Sequence, residues 1–175
     1  MANTNRTDVT IKGSKEAMKY FQEKYDNCVD GNYPSEEGQT HIIDAFGAEA
    51  ELLIDRIGSK WISKYDVFVD ADDEFQFAME SAWYPPSDML KEMHRQLVAI
   101  DPDVTFTARY WDEAYSPIGV LKITDAGQYL TLEDDSLEED DREYFWDDVV
   151  EPAFQVLEKK FKIAEAYTLN NTWQI

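Results

Sequence analysis

Two hydrophobic periods follow one another along this chain, and their order restricts its fold more than any other feature of the sequence. Residues 7–11 alternate between apolar and polar side chains, which is typical of a strand. Residues 14–26 then place Ala17, Phe21 and Tyr25 at every fourth position, which is typical of one helical face. The chain is therefore expected to begin with a strand that leads into a helix.

A hairpin, a second helix and a fourth strand are predicted further along. Residues 65–70 and 74–83 both alternate, and the short polar connection between them predicts a β-hairpin. Ser87, after two prolines, is expected to cap a helix whose apolar stripe runs over residues 89–100. Residues 104–111 alternate again and predict the fourth strand.

The segment between the first helix and the hairpin is predicted to hold a loop and a short helix. Residues 27–40 are rich in turn-forming residues and poor in apolar ones, which favours a surface loop. The apolar spacing of residues 46–61 predicts a helix that stops at Gly58.

The end of the chain is predicted to add a hairpin, a helix and a closing strand. Residues 118–123 and 129–132 alternate as strands, and residues 149–161 carry a helical stripe. Pro152 is expected either to start that helix or to kink a longer one, because proline cannot donate an interior hydrogen bond. Residues 163–169 are expected to form the closing strand.

The order β-α-β-β-α-β predicts an α+β fold with a split-βαβ, ferredoxin-like core. We expect the core to comprise residues 7–26 and 62–112, with an inserted loop-helix at residues 27–61. The acidic C-terminal extension, residues 113–175, is expected to add the β-hairpin and the helix. A chain of 175 residues can bury roughly 70% of its unfolded surface, which supports a single domain over residues 1–175.

The charge of the chain excludes most proteins that bind nucleic acid directly. There are 37 acidic and 16 basic residues, for a formal charge of −21, whereas proteins that follow phosphates need clustered Lys and Arg. The acids form tracts: residues 26–55 and 66–88 contain no Lys or Arg, and residues 133–148 contain one Arg. Such tracts repel themselves, so we interpret them as a surface that another molecule recognises.

The single cysteine and the absence of a long apolar run indicate a reducing compartment. Cys28 cannot form an intramolecular disulfide or a cysteine-rich zinc site. No stretch approaches the roughly 18 apolar residues that cross a bilayer, and residues 1–10 lack the apolar core of a signal peptide. We therefore expect the protein in the cytoplasm of a bacterial host cell, with no membrane partner.

Two motifs resemble a known family. They are Gly-Ser-Lys-Trp at residues 58–61 and Ser-Ala-Trp-Tyr-Pro-Pro at residues 81–86, followed by Asp101, Pro102, Phe106, Tyr110, Glu113 and Gly119. Together they resemble the YubB-like ferredoxin-like family of conjugative plasmids and phages, over most of the chain up to Gly119. The resemblance implies a ferredoxin-like fold and a mobile-element setting. The family has no established biochemical role, so no catalytic residue or cofactor is implied.

Nucleophilic catalysis is not predicted, and we expect that the protein is not an enzyme. Only His41 and His94 could serve as a base near neutral pH, and neither lies in a pattern that pairs it with a nucleophile. Cys28 lies in a polar loop without nearby basic residues, so no sequence neighbour lowers its pKa.

The acidic hairpin turn is the alternative candidate for chemistry, as a metal-dependent enzyme. Its carboxylates belong to Asp70, Asp72, Asp73 and Glu74. Such oxygens suit Ca²⁺ or Mg²⁺, but the spacing of an EF-hand loop is absent, so no metal and no cofactor is expected.

Most of the aromatic residues are expected to pack in the core. Sheet aromatics stack bases in some ferredoxin-like RNA-binding modules, but Phe68, Phe75 and Phe77 lie among acids, where a base-stacking module would need cations. Large aromatic side chains usually serve burial.

The predicted function is that of an acidic inhibitor that mimics DNA. A rigid fold that displays carboxylates can occupy a basic groove meant for phosphates, as in a defence nuclease or CRISPR effector of the host. The predicted contact residues of first choice are Glu133, Asp134, Asp135, Glu138, Glu139, Asp140 and Asp141, with Tyr144 and Trp146 as aromatic anchors. The turn acids, from Asp70 to Glu74, are the second choice. An antitoxin or immunity protein with a basic toxin partner is the other alternative, and the sequence does not indicate the oligomeric state.

Overall fold

The computed structural model describes residues 3–30, 36–115, 117–123, 129–135 and 146–171. It describes the side chains of these residues up to residue 162, except those of residues 129 and 130. The strands are β1 (Thr4–Lys12), β2 (Cys28–Val29), β3 (Thr40–His41), β4 (Ile62–Asp70), β5 (Glu74–Ala82), β6 (Thr105–Asp112), β7 (Ile118–Ile123) and β8 (Tyr129–Asp134). The helices are α1 (Lys15–Asp26), α2 (Ile42–Phe46), α3 (Leu53–Ile57), α4 (Ser87–Val98) and α5 (Glu151–Asn171), the last preceded by a π-helical turn over Trp146–Val150.

Six strands form one antiparallel sheet in the order β4-β5-β1-β6-β7-β8. The first strand of the chain lies inside this sheet, with Val9 opposite Phe77 of β5 and Ala108 of β6. The short strands β2 and β3 form a separate parallel pair. The predicted α+β class is therefore confirmed.

The main core lies between one face of the sheet and the helices α1 and α4. Ser14 caps α1, because its hydroxyl accepts a hydrogen bond from the Ala17 amide at 3.3 Å. The ring of Phe21 lies at the centre, with its centroid 5.2–6.4 Å from the rings of Tyr25, Phe46, Phe75, Phe77 and Phe106. The expectation that Phe75 and Phe77 are core residues is confirmed, since both are buried.

The opposite face of the sheet is covered by α5 over β7 and β8. Ile118 and Val120 of β7 pack there against Val150, Phe154 and Leu157, which form a second apolar cluster. Because alternate side chains of β7 also enter the main core, this strand is buried on both faces. The extension therefore contributes a third layer to the fold.

The other half of this second face, formed by β4, β5 and β1, stays open in the described part of the chain. Tyr65 and Phe68 of β4 are 48% and 49% exposed there. The Arg6 guanidinium carbon of β1 lies 4.6 Å from the Tyr65 ring centroid and 5.7 Å from that of Phe68. An aromatic surface with a cation is thus left beside α5.

The prediction of one helix over residues 46–61 was wrong. Within this segment only Leu53–Ile57 forms a helix, α3, because α2 ends at Phe46, where Gly47 takes an extended conformation. Arg56 folds back to bind the Ile43 carbonyl and the Asp44 carboxylate, both at 3.0 Å. The predicted stop at Gly58 is confirmed, since this residue adopts the left-handed conformation with φ 77°.

Two predictions about helix ends were also wrong. Ser87 is the first residue of α4 rather than its cap, and its side chain makes no capping hydrogen bond. Residues 163–169 continue α5 instead of forming a strand. Their Ala and Glu residues favour helix, and extending an existing helix needs no new nucleation. Pro152 lies in the first turn of α5, which is one of the two positions predicted for it.

Candidate acidic interaction surface

The two predicted groups of acidic contact residues lie at opposite corners of the sheet. The β4–β5 turn, which carries Asp70 and Glu74, is at one edge, next to Lys12 at the end of β1. Glu133 and Asp134 lie on β8, the other edge strand, at the end of the sheet where β1 begins. Five strand spacings, about 24 Å, separate the two edges. The structure therefore does not join these groups into one surface.

The first-choice group is only partly described. Glu138, Glu139, Asp140, Asp141 and Tyr144 lie outside the described residues. Of the others, Asp135 is exposed, and Glu133 accepts a hydrogen bond from the buried Tyr110 hydroxyl.

Trp146, predicted as an interface anchor, packs against the second apolar cluster. Its ring centroid lies 4.9 Å from that of Trp111 and 5.9 Å from that of Tyr115, both edge to face. It is partly buried in this position. The contacts thus give Trp146 the packing role expected of most of the aromatic residues.

Two carboxylates of the β4–β5 turn form ion pairs with Lys12 at the end of β1 and Lys15 at the start of α1. The Lys15 ammonium lies 2.8 Å from Asp72, and Lys12 lies 3.2 Å from Glu74. The side chain of Asp72 remains 75% exposed. These pairs are exposed and individually weak, and they offset two of the four negative charges of the turn.

An acidic surface that the sequence reasoning missed lies across neighbouring strand ends from β4 to β6, with Lys12 and Lys15 among its acids. It combines the β4–β5 turn, the start of α1 and the connection from α4 to β6. We call it the acidic ridge and define it by Glu16, Asp70, Asp72, Asp73, Glu74, Asp101 and Asp103. The signal that could have found it is the strand order, which places these three connections side by side.

Backbone hydrogen bonds join the three connections of the ridge. The Gly13 amide donates to the Asp73 carbonyl at 3.2 Å, and the Ser14 amide donates to Asp101 Oδ2 at 2.5 Å. The other carboxylate oxygen of Asp101 accepts from the Asp103 amide at 3.0 Å. The ridge is therefore tied together through the junction between β1 and α1.

Hydrogen bonds keep two carboxylates of the ridge, Asp101 and Glu74, ionised. The backbone amides of Ser14 and Asp103 hold the pKa of Asp101 below its usual value of 3.8. Hydrogen bonds from Gln76 and Lys12 lower the pKa of Glu74. Both groups carry a full charge at neutral pH.

The net charge density along the ridge is within about twofold of that of duplex DNA. Three strand spacings between β4 and β6 span about 14 Å. Over that width seven carboxylates, two of them paired with Lys12 and Lys15, leave a net of five negative charges, or one per roughly 3 Å. Duplex DNA carries one charge per about 1.7 Å of its axis. Acids are also exposed elsewhere, among them Glu36, Glu37 and Glu49, but these do not lie on neighbouring strand ends.

Cys28, the candidate nucleophile, does not lie together with the candidate bases His41 and His94. Cys28 is buried, and burial raises the pKa of its thiol. Lys64 and Lys24 lie near the thiol, so the expectation that no basic residue is close was wrong. The His94 ring is buried against Phe106. His41 Nδ1 lies 3.1 Å from the Asp30 carbonyl. In the residues that the structure describes, no three His, Cys, Asp or Glu side chains are grouped as a metal site requires.

The two motifs that carry the family resemblance lie against each other. The buried Ser59 hydroxyl accepts a hydrogen bond from the Ala82 amide at 3.0 Å and donates to the Ala82 carbonyl at 2.9 Å. Beyond Ala82, Trp83 adopts a positive φ of 65° and remains 46% exposed. The two motifs thus fix the end of β5.

Comparison with known family models, curated proteins and solved structures finds no match to this chain. None of the described helices is both long and apolar enough to span a membrane.

Proposed function

We propose that this protein binds a positively charged, nucleic-acid-binding host protein through the acidic ridge and inhibits it as a DNA mimic. The observation that carries the proposal is the arrangement of three acidic connections on neighbouring strand ends, with a net charge density within about twofold of that of duplex DNA. The hydrogen bonds at Asp101 and Asp73 support it, because a preorganised anion binds a basic groove with less loss of side-chain freedom.

The proposal includes a ferredoxin-like core and a mobile-element setting. The sheet order β4-β5-β1-β6, with α1 following β1 and α4 following β5, is the order expected of a split-βαβ core. On this proposal β2, β3, α2 and α3 are the insertion, and β7, β8 and α5 are the extension. The resemblance of the two motifs to the plasmid and phage family supports a target in the bacterial cytoplasm, such as a defence nuclease or CRISPR effector.

Charge reversal of the ridge tests the proposal. The ridge variant carries Asp72→Lys, Asp73→Lys and Asp103→Lys. A matched control carries Glu36→Lys, Glu37→Lys and Glu49→Lys, which are exposed acids with the same change in net charge. Each protein is used to capture binding proteins from nuclease-treated bacterial lysate, and the captured protein is then purified.

Competition with DNA is the measurement that tests whether the protein acts as a DNA mimic. We expect the wild type and the control to displace a labelled DNA duplex from the captured protein in fluorescence anisotropy, and the ridge variant to fail. The competition should weaken steeply with added salt, because exposed charges are screened within about 10 Å at 0.1 M. Simultaneous binding of DNA and the wild type, or equal competition by the ridge variant, would overturn the proposal.

A third variant separates the two acidic corners. It carries Asp134→Lys, Asp135→Lys, Glu138→Lys and Glu139→Lys, in the stretch that the sequence favoured. If this variant loses the competition while the ridge variant keeps it, the contact surface is the β8 corner and the ridge assignment is wrong.

A further inference from the structure

Three adjacent aliphatic side chains are exposed at the start of α3. Leu52, Leu53 and Ile54 are 63%, 43% and 51% exposed, whereas Ile57 at the end of the same helix is fully buried. Only Ile57 of these four residues belongs to the main core. Runs of exposed aliphatic residues are uncommon on proteins in water unless another molecule covers them. The three side chains therefore indicate an interaction surface.

The loop that carries these side chains, residues 48–56, is closed at its base by backbone hydrogen bonds. The Ala48 amide donates to the Arg56 carbonyl at 2.8 Å, and the Asp55 amide donates to the Leu52 carbonyl at 3.0 Å. We call this segment the apolar loop. Because the loop is held in one shape, its aliphatic tip can be covered with less loss of conformational freedom.

The charges around the aliphatic tip are negative. Three exposed acids lie in the apolar loop: Glu49, Glu51 and Asp55. Two arginines lie near it, and each binds a carboxylate outside the loop, Arg56 with Asp44 and Arg95 with Glu92. A partner that covers the tip is therefore expected to carry positive charge beside its own apolar contact.

Two exposed aromatic rings stand at the same end of the sheet. Trp83 and Tyr84, which we call the aromatic turn, follow β5 and are 46% and 63% exposed. The positive φ of Trp83 is rare for a bulky residue, and the turn is held by a hydrogen bond of 2.9 Å from its amide to the Asn3 carbonyl. The Lys60 ammonium, shortly after the end of α3, lies 5.7 Å from the Trp83 ring centroid. The aromatic turn thus adds two fixed rings close to the apolar loop.

We propose that the apolar loop and the aromatic turn together bind a basic amphipathic helix of a partner protein. Such a helix brings an apolar stripe with Lys or Arg along its border, which matches aliphatic and aromatic side chains beside carboxylates. Trp and Tyr are also the residues most often found at the energetic centre of an interface.

This surface is separate from the acidic ridge. It lies where β4 begins and β5 ends, whereas the ridge lies where β4 ends and β5 begins. Each of these strands has nine residues, so about 30 Å separates the two surfaces. The proposal therefore does not depend on the proposed inhibition.

Two labelled synthetic peptides of lysine and leucine test the surface by fluorescence anisotropy with the full chain. One places its leucines at the i, i+3, i+4 and i+7 positions of a helix, and the other has the same composition with the leucines spread around the helix. Both carry the same charge, so general attraction to an acidic protein is equal. We expect the amphipathic peptide to bind at one site and about tenfold more tightly, because only this peptide buries the exposed side chains.

The variants locate the site. The double variant Leu52→Ser with Ile54→Ser should remove most of the preference for the amphipathic peptide, and Tyr84→Ser should reduce it. Val67→Ser with Val156→Ser changes two exposed aliphatic residues elsewhere, and this matched control should keep the preference. The ridge variant should bind both peptides more weakly but also keep the preference, so failure here and failure of the inhibition proposal are distinguishable.

The melting temperature of each variant shows whether it folds. Equal binding of the two peptides by the wild type would overturn the proposal, as would an unchanged preference in the folded double variant at Leu52 and Ile54. A folded Tyr84→Ser variant with the full preference would refute the role of the aromatic turn. Sedimentation equilibrium without peptide gives the last outcome: dimerisation that the double variant abolishes would assign the surface to a second copy of this chain and overturn the proposal.

Discussion

The phenol ring of Tyr110 lies directly over Gly119 on the neighbouring strand, where a β-carbon would stand 2.2 Å from Cζ of the ring. Because residue 119 has no side chain, the ring crosses β7 and its hydroxyl reaches β8. There it lies 2.7 Å from Thr131 Oγ1 and donates to the Glu133 carboxylate. One side chain thus links the core strand β6 to the edge strand β8.

Replacing Gly119 with alanine should destabilise the protein by roughly 3 kcal/mol, because the new methyl group forces the Tyr110 ring out of its place. Urea denaturation followed by circular dichroism measures the loss. The double variant Gly119→Ala with Tyr110→Leu should lose less than the sum of the two single variants, since the smaller side chain removes the clash. Losses that simply add would show that the two residues do not interact.

Truncation of Phe154 should release α5 from the sheet. The side chain is fully buried in the second apolar cluster, so Phe154→Ala should cost about 3–5 kcal/mol in the free energy of unfolding. Hydrogen exchange should accelerate in residues 150–158. The control is Val156→Ala on the same helix, where the side chain is 50% exposed and the change should stay within about 0.5 kcal/mol. Equal effects of the two changes would argue against the packing of this helix.

The Ser59 hydroxyl should contribute to stability through its two hydrogen bonds to Ala82. Ser59→Ala leaves a buried amide without that partner, so we expect a loss of about 1–3 kcal/mol by urea denaturation. Ser87→Ala removes a hydroxyl that makes no capping hydrogen bond at the start of α4, and it serves as the control. A Ser59→Ala variant as stable as this control would contradict the prediction.

Asp101 should stabilise the protein in a pH-dependent manner. Its pKa is lower in the folded state than in the unfolded state, so the stabilisation is present above the unfolded pKa and is lost as pH falls through the folded pKa. Asp101→Asn should therefore lower the melting temperature at pH 7, and the difference from wild type should shrink below about pH 4. Asp103→Asn is the matched control, because only the backbone amide of Asp103 takes part in this contact. A difference that does not change with pH would show that the Asp101 charge is not the cause.

Local patterns predicted the strands of the sheet and the helices α1 and α4, because each of these elements buries one face at a regular period. The helix over residues 46–61 was predicted wrongly because Arg56 makes contacts across the segment that no period reveals. Prediction of the acidic ridge also requires the order of the strands in the sheet. The groove on the second face of the sheet, lined by Phe68 of β4 and Phe161 of α5, could not be predicted, because these residues are far apart in the sequence.

The position of β1 in the sheet has a consequence for synthesis of the protein. Val9 is paired with Phe77 and Ala108, so β1 leaves the ribosome about 5–20 s before its second partner strand is translated. During that interval the nascent chain presents an unpaired strand and the apolar side of α1, which includes Phe21. Translation of this protein therefore includes a period in which an inner strand of its sheet depends on chaperones, or on the chain's own charge repulsion, to avoid aggregation.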